Sequence, residues 1–154
     1  NPSLVNRLIV ADIAPVTYTH TQSHLIDAMQ AVDLTHITRR SEASAALEHT
    51  IDDPMIRAFL LQSLDVKAQK WMLNLDVLRD QMPEIIGFPT VTGQFDGLSV
   101  FLSGAQSDYV TRDHRDAIKP LFTNTKFAKI PDAGHWLHAE KPREFEAAVR
   151  AILA

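Results

Sequence analysis

His135 is the residue of this sequence best suited to moving protons. It stands in the run Ile130-Pro131-Asp132-Ala133-Gly134-His135-Trp136-Leu137-His138-Ala139-Glu140-Lys141-Pro142, after a β-rich stretch at 127–130 and ahead of an amphipathic helix. A histidine at a strand-to-helix loop can turn its imidazole into a cleft, and an ordinary pKa of about 6.5 lets it take and return a proton near neutrality. Such a base needs a carboxylate to fix its tautomer and a nucleophile facing its other nitrogen. Two carboxylates stand where a parallel sheet gathers its chemistry, just beyond the C-terminal ends of strands. Asp12 ends a strand at 7–12, and Asp108 lies a few residues past a strand ending at Leu102. Asp108 precedes His135 by 27 residues (135 − 108), with one helix and one strand between them, and spacing alone favours it.

No nucleophile accompanies these groups. Gly-x-Ser-x-Gly, which raises a serine on a sharp strand-to-helix turn, occurs nowhere in the 154 residues. Ser103 and Ser107 lie near Gly104, but neither has that strand-elbow-helix setting. Cysteine is absent, which removes disulfides, thiolate catalysis and cysteine–zinc sites together. His20 and His24 are spaced i,i+4, yet His20 falls before its helix begins and no acidic third ligand is near, so no metal site is expected. His36, His49 and His114 have no histidine partner at ligand spacing, and His138 reads as structural, packing near the last helix. Trp71, Phe59 and the methionines read as core, or as the lining of an acyl pocket if they belong to a cap.

The elements that must position these side chains follow from periodicity. Residues 7–12 form a short apolar run closed by Asp12 and followed by Pro15, the pattern of a buried strand. Leu25, Met29, Val32 and His36 recur at helical spacing from Ser23 onward, and Ser41 opens a second short helix through Leu47 and Glu48. Asp52-Asp53-Pro54 is a helix start, and Met55, Ile56, Phe59, Leu60 and Leu64 form the apolar stripe behind it. A strand at 70–75 and a helix at 76–82 complete a mostly helical stretch. Regular alternation then returns, with strands at 98–104 and 126–130 and helices at 111–119 and 142–153. Phe145, Ala148, Val149 and Ile152 share one face of the last helix. Strand, helix, strand, helix is the repeat of a parallel sheet covered on both sides.

Four segments together resemble the YbfF-type bacterial esterases, which are α/β-hydrolases. They are Val10-Ala11-Asp12-Ile13-Ala14-Pro15-Val16-Thr17-Tyr18, Trp71-Met72-Leu73-Asn74, Gly104-Ala105-Gln106-Ser107-Asp108-Tyr109-Val110, and the histidine run from Gly134 to Pro142. The likeness covers essentially the whole chain in order, from just after the family's nucleophile-bearing strand and helix. It implies the C-terminal portion of an α/β-hydrolase fold, a mostly parallel sheet flanked by helices with an inserted helical cap. Residues 1–18 would be core strand and loop, 19–87 the cap or lid, and 88–154 core with the histidine loop. In that family the acid comes from the Asp-Ile-Ala-Pro strand, which moves the assignment to Asp12. At the later site the family has Gly-x-x-Ser without a required acid, and Asp108 sits one place beyond the matching Ser107.

The implied activity is hydrolysis of carboxylic esters or thioesters of small acyl substrates, with His135 as general base and acid and Asp12 orienting it. The nucleophilic serine and the oxyanion hole would come from an N-terminal half acting as partner, and no metal or organic cofactor is implied. Two alternatives stay open: a chain that is non-catalytic or split and works only with that partner, and a dehalogenase or C–C hydrolase on the same fold. Net charge is −4 with Lys and Arg dispersed, which argues against nucleic acid, and no apolar run approaches the roughly 20 residues that span a bilayer. The start, Asn1-Pro2-Ser3-Leu4-Val5, has no basic or apolar leader pattern, so a cytoplasmic protein is expected. The strand at 7–12 comes with no helix ahead of it to cover it, so the chain reads as one lacking its front half.

Overall fold

A computed structural model describes residues 4–154; residues 1–3, part of the stretch read above as no leader, lie outside the described residues. The chain divides into two units, one made of Asn1–Val16 with Pro89–Ala154 and the other of Thr17–Phe88.

Strand β1 (Arg7–Ala11) opens the first unit. Its Ile9 and Val10 favour the pleat, and among the described residues the strand pairs with β4 and is partly buried.

The regular structure of the 17–88 unit is helical apart from one hairpin of two two-residue strands. Helix α1 (Ser23–Ala31) buries Ile26, Ala28 and Met29 and ends earlier than the periodicity suggests. Val32 is extended and His36 is exposed beyond it. Helix α2 (Arg40–Glu48) starts before Ser41, because Glu42 reaches back to accept the backbone N–H groups of Thr38 (2.8 Å) and Arg39 (3.1 Å). These bonds satisfy donors that helix geometry leaves orphaned. Helix α3 (Pro54–Leu60) is capped by Asp53, whose Oδ1 accepts from Met55 N at 2.7 Å. It passes through a 3-10 turn (Leu61–Ser63) into β2 (Leu64–Asp65), so Leu64 packs from a strand rather than from the helix.

Strand β3 (Lys70–Trp71) pairs antiparallel with β2 and stops four residues short of the expected end. Asn74 instead caps α4 (Leu75–Asp80), accepting from Val77 N at 3.2 Å, and α5 (Met82–Ile85) follows. Ala43, Leu47 and Leu64 are completely buried at the centre of this unit, with Met29, Leu60, Leu75 and Met82 around them.

The first unit then resumes with β4 (Leu98–Gly104), buried on both faces and flanked by β1 and by β5 (Thr125–Ile130) in the order β1-β4-β5. Between β4 and β5 lies α6 (Arg115–Ile118), and after β5 come α7 (Leu137–Glu140) and α8 (Pro142–Leu153). Both pairings are parallel, with Val10 beside Phe101 and Phe101 beside Phe127. On that face Phe101 packs with Ala14, Val110, Ile118 and Phe122. The opposite face carries Leu102, Ile130, Ala133 and Leu137, against which Phe145, Ala148 and Val149 of α8 lie. A central strand covered on both faces needs apolar side chains on both, and Val100, Phe101 and Leu102 supply them, with Ser99 buried beside them.

The expected helix at 111–119 shrinks to α6. The His114 ring bonds to Tyr109 O at 3.0 Å, a local side-chain to backbone contact that competes with helix at this point. A single helix was expected after the histidine, and the structure interposes α7 before α8.

Candidate active site

Asp12 follows the last residue of β1 with φ 50°, in the left-handed region that is uncommon for any residue except glycine. Its N–H is held by Leu102 O at 2.9 Å, and its side chain is 1% exposed. A buried carboxylate needs its lone pairs filled. Oδ1 accepts from Gly104 N at 3.2 Å, while Oδ2 accepts from Ser107 Oγ at 2.5 Å and faces His135 Nδ1 at 2.8 Å. A carboxylate oxygen that already accepts from Ser107 suits a donating Nδ1–H, the tautomer that leaves the Nε2 lone pair available in a neutral ring.

His135 lies in the loop between β5 and α7, with its side chain 42% exposed. The Tyr109 ring stacks on the imidazole, with centroids 3.7 Å apart and planes 14° from parallel. Beneath it the turn after β4 is stitched to the histidine loop, by Ala105 N to Ile130 O and Gln106 N to Ala133 O, both 2.9 Å. Gly104 makes this approach possible. A Cβ there would sit 2.1 Å from Gly134 O and 2.3 Å from Ala133 O. Glu140 closes the loop from the other side, its carboxylate accepting from Gly134 N (2.7 Å) and Trp136 N (3.1 Å).

Asp12 and His135 are therefore brought together. Asp108 is exposed and shares no hydrogen bond or ion pair with His135, so the geometry departs from the preference drawn from spacing. The difference lies in the turn after β4, which points Ser107 rather than Asp108 at the buried carboxylate. Ser103 is buried within β4. Ser107 was read only as a weak nucleophile candidate, but its hydroxyl is engaged as a donor to Asp12 and an acceptor from Tyr109 N at 3.2 Å.

His138 lies edge-on to Phe145 at 6.2 Å. His20 sits ahead of α1 with its ring 5.1 Å from Tyr18, while His24 is exposed on the helix. Trp71 packs against the core of its unit and donates Nε1–H to Met29 O at 2.8 Å. Met29 and Met82 are core, whereas Phe59, Met55 and Met72 are more than half exposed.

Sequence reasoning missed Tyr109, Glu140 and the role of Ser107. Stacking leaves no periodic trace, but Gly134 and Glu140 six residues apart are a legible pair once the glycine is read as room for a carboxylate.

The site's geometry can be set beside known proteins. No family model matches the chain. The mouse sn-1-specific diacylglycerol lipase ABHD11 is 38% identical over 162 residues, covering 99% of this chain and 52% of the lipase. Esterase YbfF of Escherichia coli is 34% identical over 150 residues, covering 96% of this chain and 56% of the esterase. The chain thus spans about half the length of the curated relatives it matches. Among solved structures, a marine microorganism esterase superposes with a TM-score of 0.91 at 32% identity, over 98% of this chain and 62% of the other. An epoxide hydrolase of Bacillus megaterium, at 18% identity and a TM-score of 0.54, shares the fold. By sequence and by fold, the chain corresponds to the C-terminal part of an α/β-hydrolase and resembles the YbfF-type esterases.

Proposed function

We propose that this chain supplies the acid and the base of a Ser-His-Asp active site that hydrolyses carboxylic esters or thioesters. The observation that carries the reading is the 2.8 Å bond from His135 Nδ1 to an Asp12 carboxylate that is almost wholly buried. A serine hydroxyl, contributed from outside these 154 residues, attacks the acyl carbon while Nε2 of His135 takes its proton. Asp12 holds the resulting imidazolium in place and stabilises its charge. The same proton passes to the departing alcohol or thiol, and a water deprotonated by His135 then releases the acid. The relatives' greater length and the absence of Gly-x-Ser-x-Gly here support an outside origin for the serine and the oxyanion hole. In this reading the inserted 17–88 unit is the cap that sets acyl specificity.

The test is made on the full-length protein that carries this chain, with a short-chain ester. His135→Ala is expected to lower kcat by several orders of magnitude, and Asp12→Asn by about 10⁴, the scale known when the triad acid becomes a donor. Asp108→Asn and His138→Ala should each stay within about tenfold, since neither touches the reacting groups. If Asp108→Asn is the inactive variant, or if His138→Ala matches His135→Ala, the assignment is wrong.

A further inference from the structure

We propose that Glu140 is a positioning residue for His135, a carboxylate clamp that fixes the backbone on both sides of the base; this rests on the reading of His135 above. His135 belongs to no helix or strand, and among the described residues its side chain hydrogen-bonds to Asp12 alone. That bond and the Tyr109 stack hold the ring, but neither fixes the backbone that carries it, and Nε2 moves with Cα. The amides that flank His135, Gly134 N–H and Trp136 N–H, both donate to one carboxylate, at 2.7 Å and 3.1 Å. Bonds to an ionised acceptor are the shorter and stronger kind.

Two features make the clamp specific to this carboxylate. Glu140 ends α7, a turn anchored by Leu137, which is 2% exposed among Leu102, Ile130 and Ala133. The carboxylate is therefore hung from packed structure, although its own head is exposed. Gly134 lets it close in: a Cβ at that position would lie 3.0 Å and 3.2 Å from the two carboxylate oxygens, tighter than ordinary contact. A hydrogen in place of a side chain at Gly134 thus spares the carboxylate the few tenths of an ångström it would otherwise have to give. Glu140 acts through His135 and touches no reacting atom.

The experiment compares Glu140→Ala, Glu140→Gln and His135→Ala in the full-length protein, with Glu144→Ala as a control for loss of a nearby exposed charge. Turnover of a short-chain ester is read alongside hydrogen exchange at the amides of Gly134 and Trp136. Glu140→Ala is expected to lower kcat by about 10²-fold, the scale of roughly ångström misplacement, with KM within about threefold. Exchange at both amides should accelerate. Glu140→Gln keeps a single acceptor oxygen and should fall between Glu140→Ala and wild type in both readouts, and Glu144→Ala should behave as wild type. Wild-type kcat in Glu140→Ala with accelerated exchange would reduce the clamp to a structural brace and overturn the proposal; unchanged exchange would overturn it too. If Glu140→Ala does not fold, Glu140→Gln is judged by the same criteria. His135→Ala separates the failures: if it still turns over, the base assignment falls, whereas an inactive His135→Ala beside a fully active Glu140→Ala defeats the clamp alone.

Discussion

Gly104→Ala should disable the site without altering any group proposed to react. The added methyl carbon would start 2.1 Å from Gly134 O and 2.3 Å from Ala133 O, against a floor of 3.0 Å below which such contacts are essentially never seen. Both obstacles are backbone carbonyls, so no side-chain rotation relieves them. The shortfall at Gly134 O is 0.9 Å, the difference between that floor and 2.1 Å. The histidine loop must retreat by at least that amount, or β4 must bend away. A retreat of about 0.9 Å along the line joining the pair would carry the 2.8 Å Asp12–His135 bond to about 3.7 Å, beyond hydrogen-bond range. The stitching bonds from Ala105 and Gln106 would stretch with it. Overpacking of this kind costs about 1–3 kcal/mol, and misplacing a catalytic group by about 1 Å costs about 10²-fold in rate. Kinetics of the full-length variant with a short-chain ester, together with thermal unfolding, should show kcat down by about 10²-fold, KM within about threefold and a lowered Tm. A Gly104→Ala enzyme with wild-type kcat and Tm would refute the claim that this glycine sets the approach of the loop.

Other perturbations probe the second unit. Leu47 is completely buried, so Leu47→Ala should cost about 2–5 kcal/mol, read as a lowered midpoint of denaturant unfolding; a loss below about 1 kcal/mol would show that the site collapses freely. Glu42 is held well below the ordinary carboxyl value, at about 2, first by the backbone N–H of Thr38 and then by the Arg39 side chain. A depressed folded-state pKa contributes stability that is fully present above the unfolded value of 4.5 and is lost as pH falls towards about 2. The advantage of wild type over Glu42→Gln in thermal unfolding should therefore shrink across that window, and an advantage independent of pH would exclude the linkage.

Long-range signals were easier to read in this sequence than local ones. Val100, Phe101 and Leu102 put apolar side chains on both faces of the pleat because the strand is central, and α8 shows its Phe145, Ala148 and Val149 face because one side packs on the sheet. Such burial leaves a periodic mark. Helix ends were less visible where capping depended on which acceptor reached which amide. Glu42 starts α2 ahead of Ser41, and Asn74 turns an alternating run into the start of α4. Met55 and Phe59 lie on the apolar stripe of α3 yet remain about half exposed, since amphipathic spacing states which face is apolar and not what covers it. At the site, the Asp-Ile-Ala-Pro and Gly-His-Trp segments identified the two residues that the fold brings together. Ser107 was less readable, because a hydroxyl 95 positions from its acceptor has no spacing signature.

The Asp12–His135 bond joins residues 123 positions apart, and Asp12 meets the Gly104 amide across 92. Neither contact can form until β1 has found β4, a parallel pairing that must wait for the intervening chain to loop out. Closing a flexible loop of that length costs roughly 4 kcal/mol in chain entropy, to which no contact within the loop's closure contributes until the ladder zips. The 17–88 stretch has its own core and a largely local helical order, so it can condense early and shorten the span left to search. The acid and base are therefore expected to meet late in folding, after the 17–88 stretch has condensed. A pulse-labelling experiment during refolding should find Gly104 N–H protected after the amides of α2, with the chemistry of the site appearing only at the end.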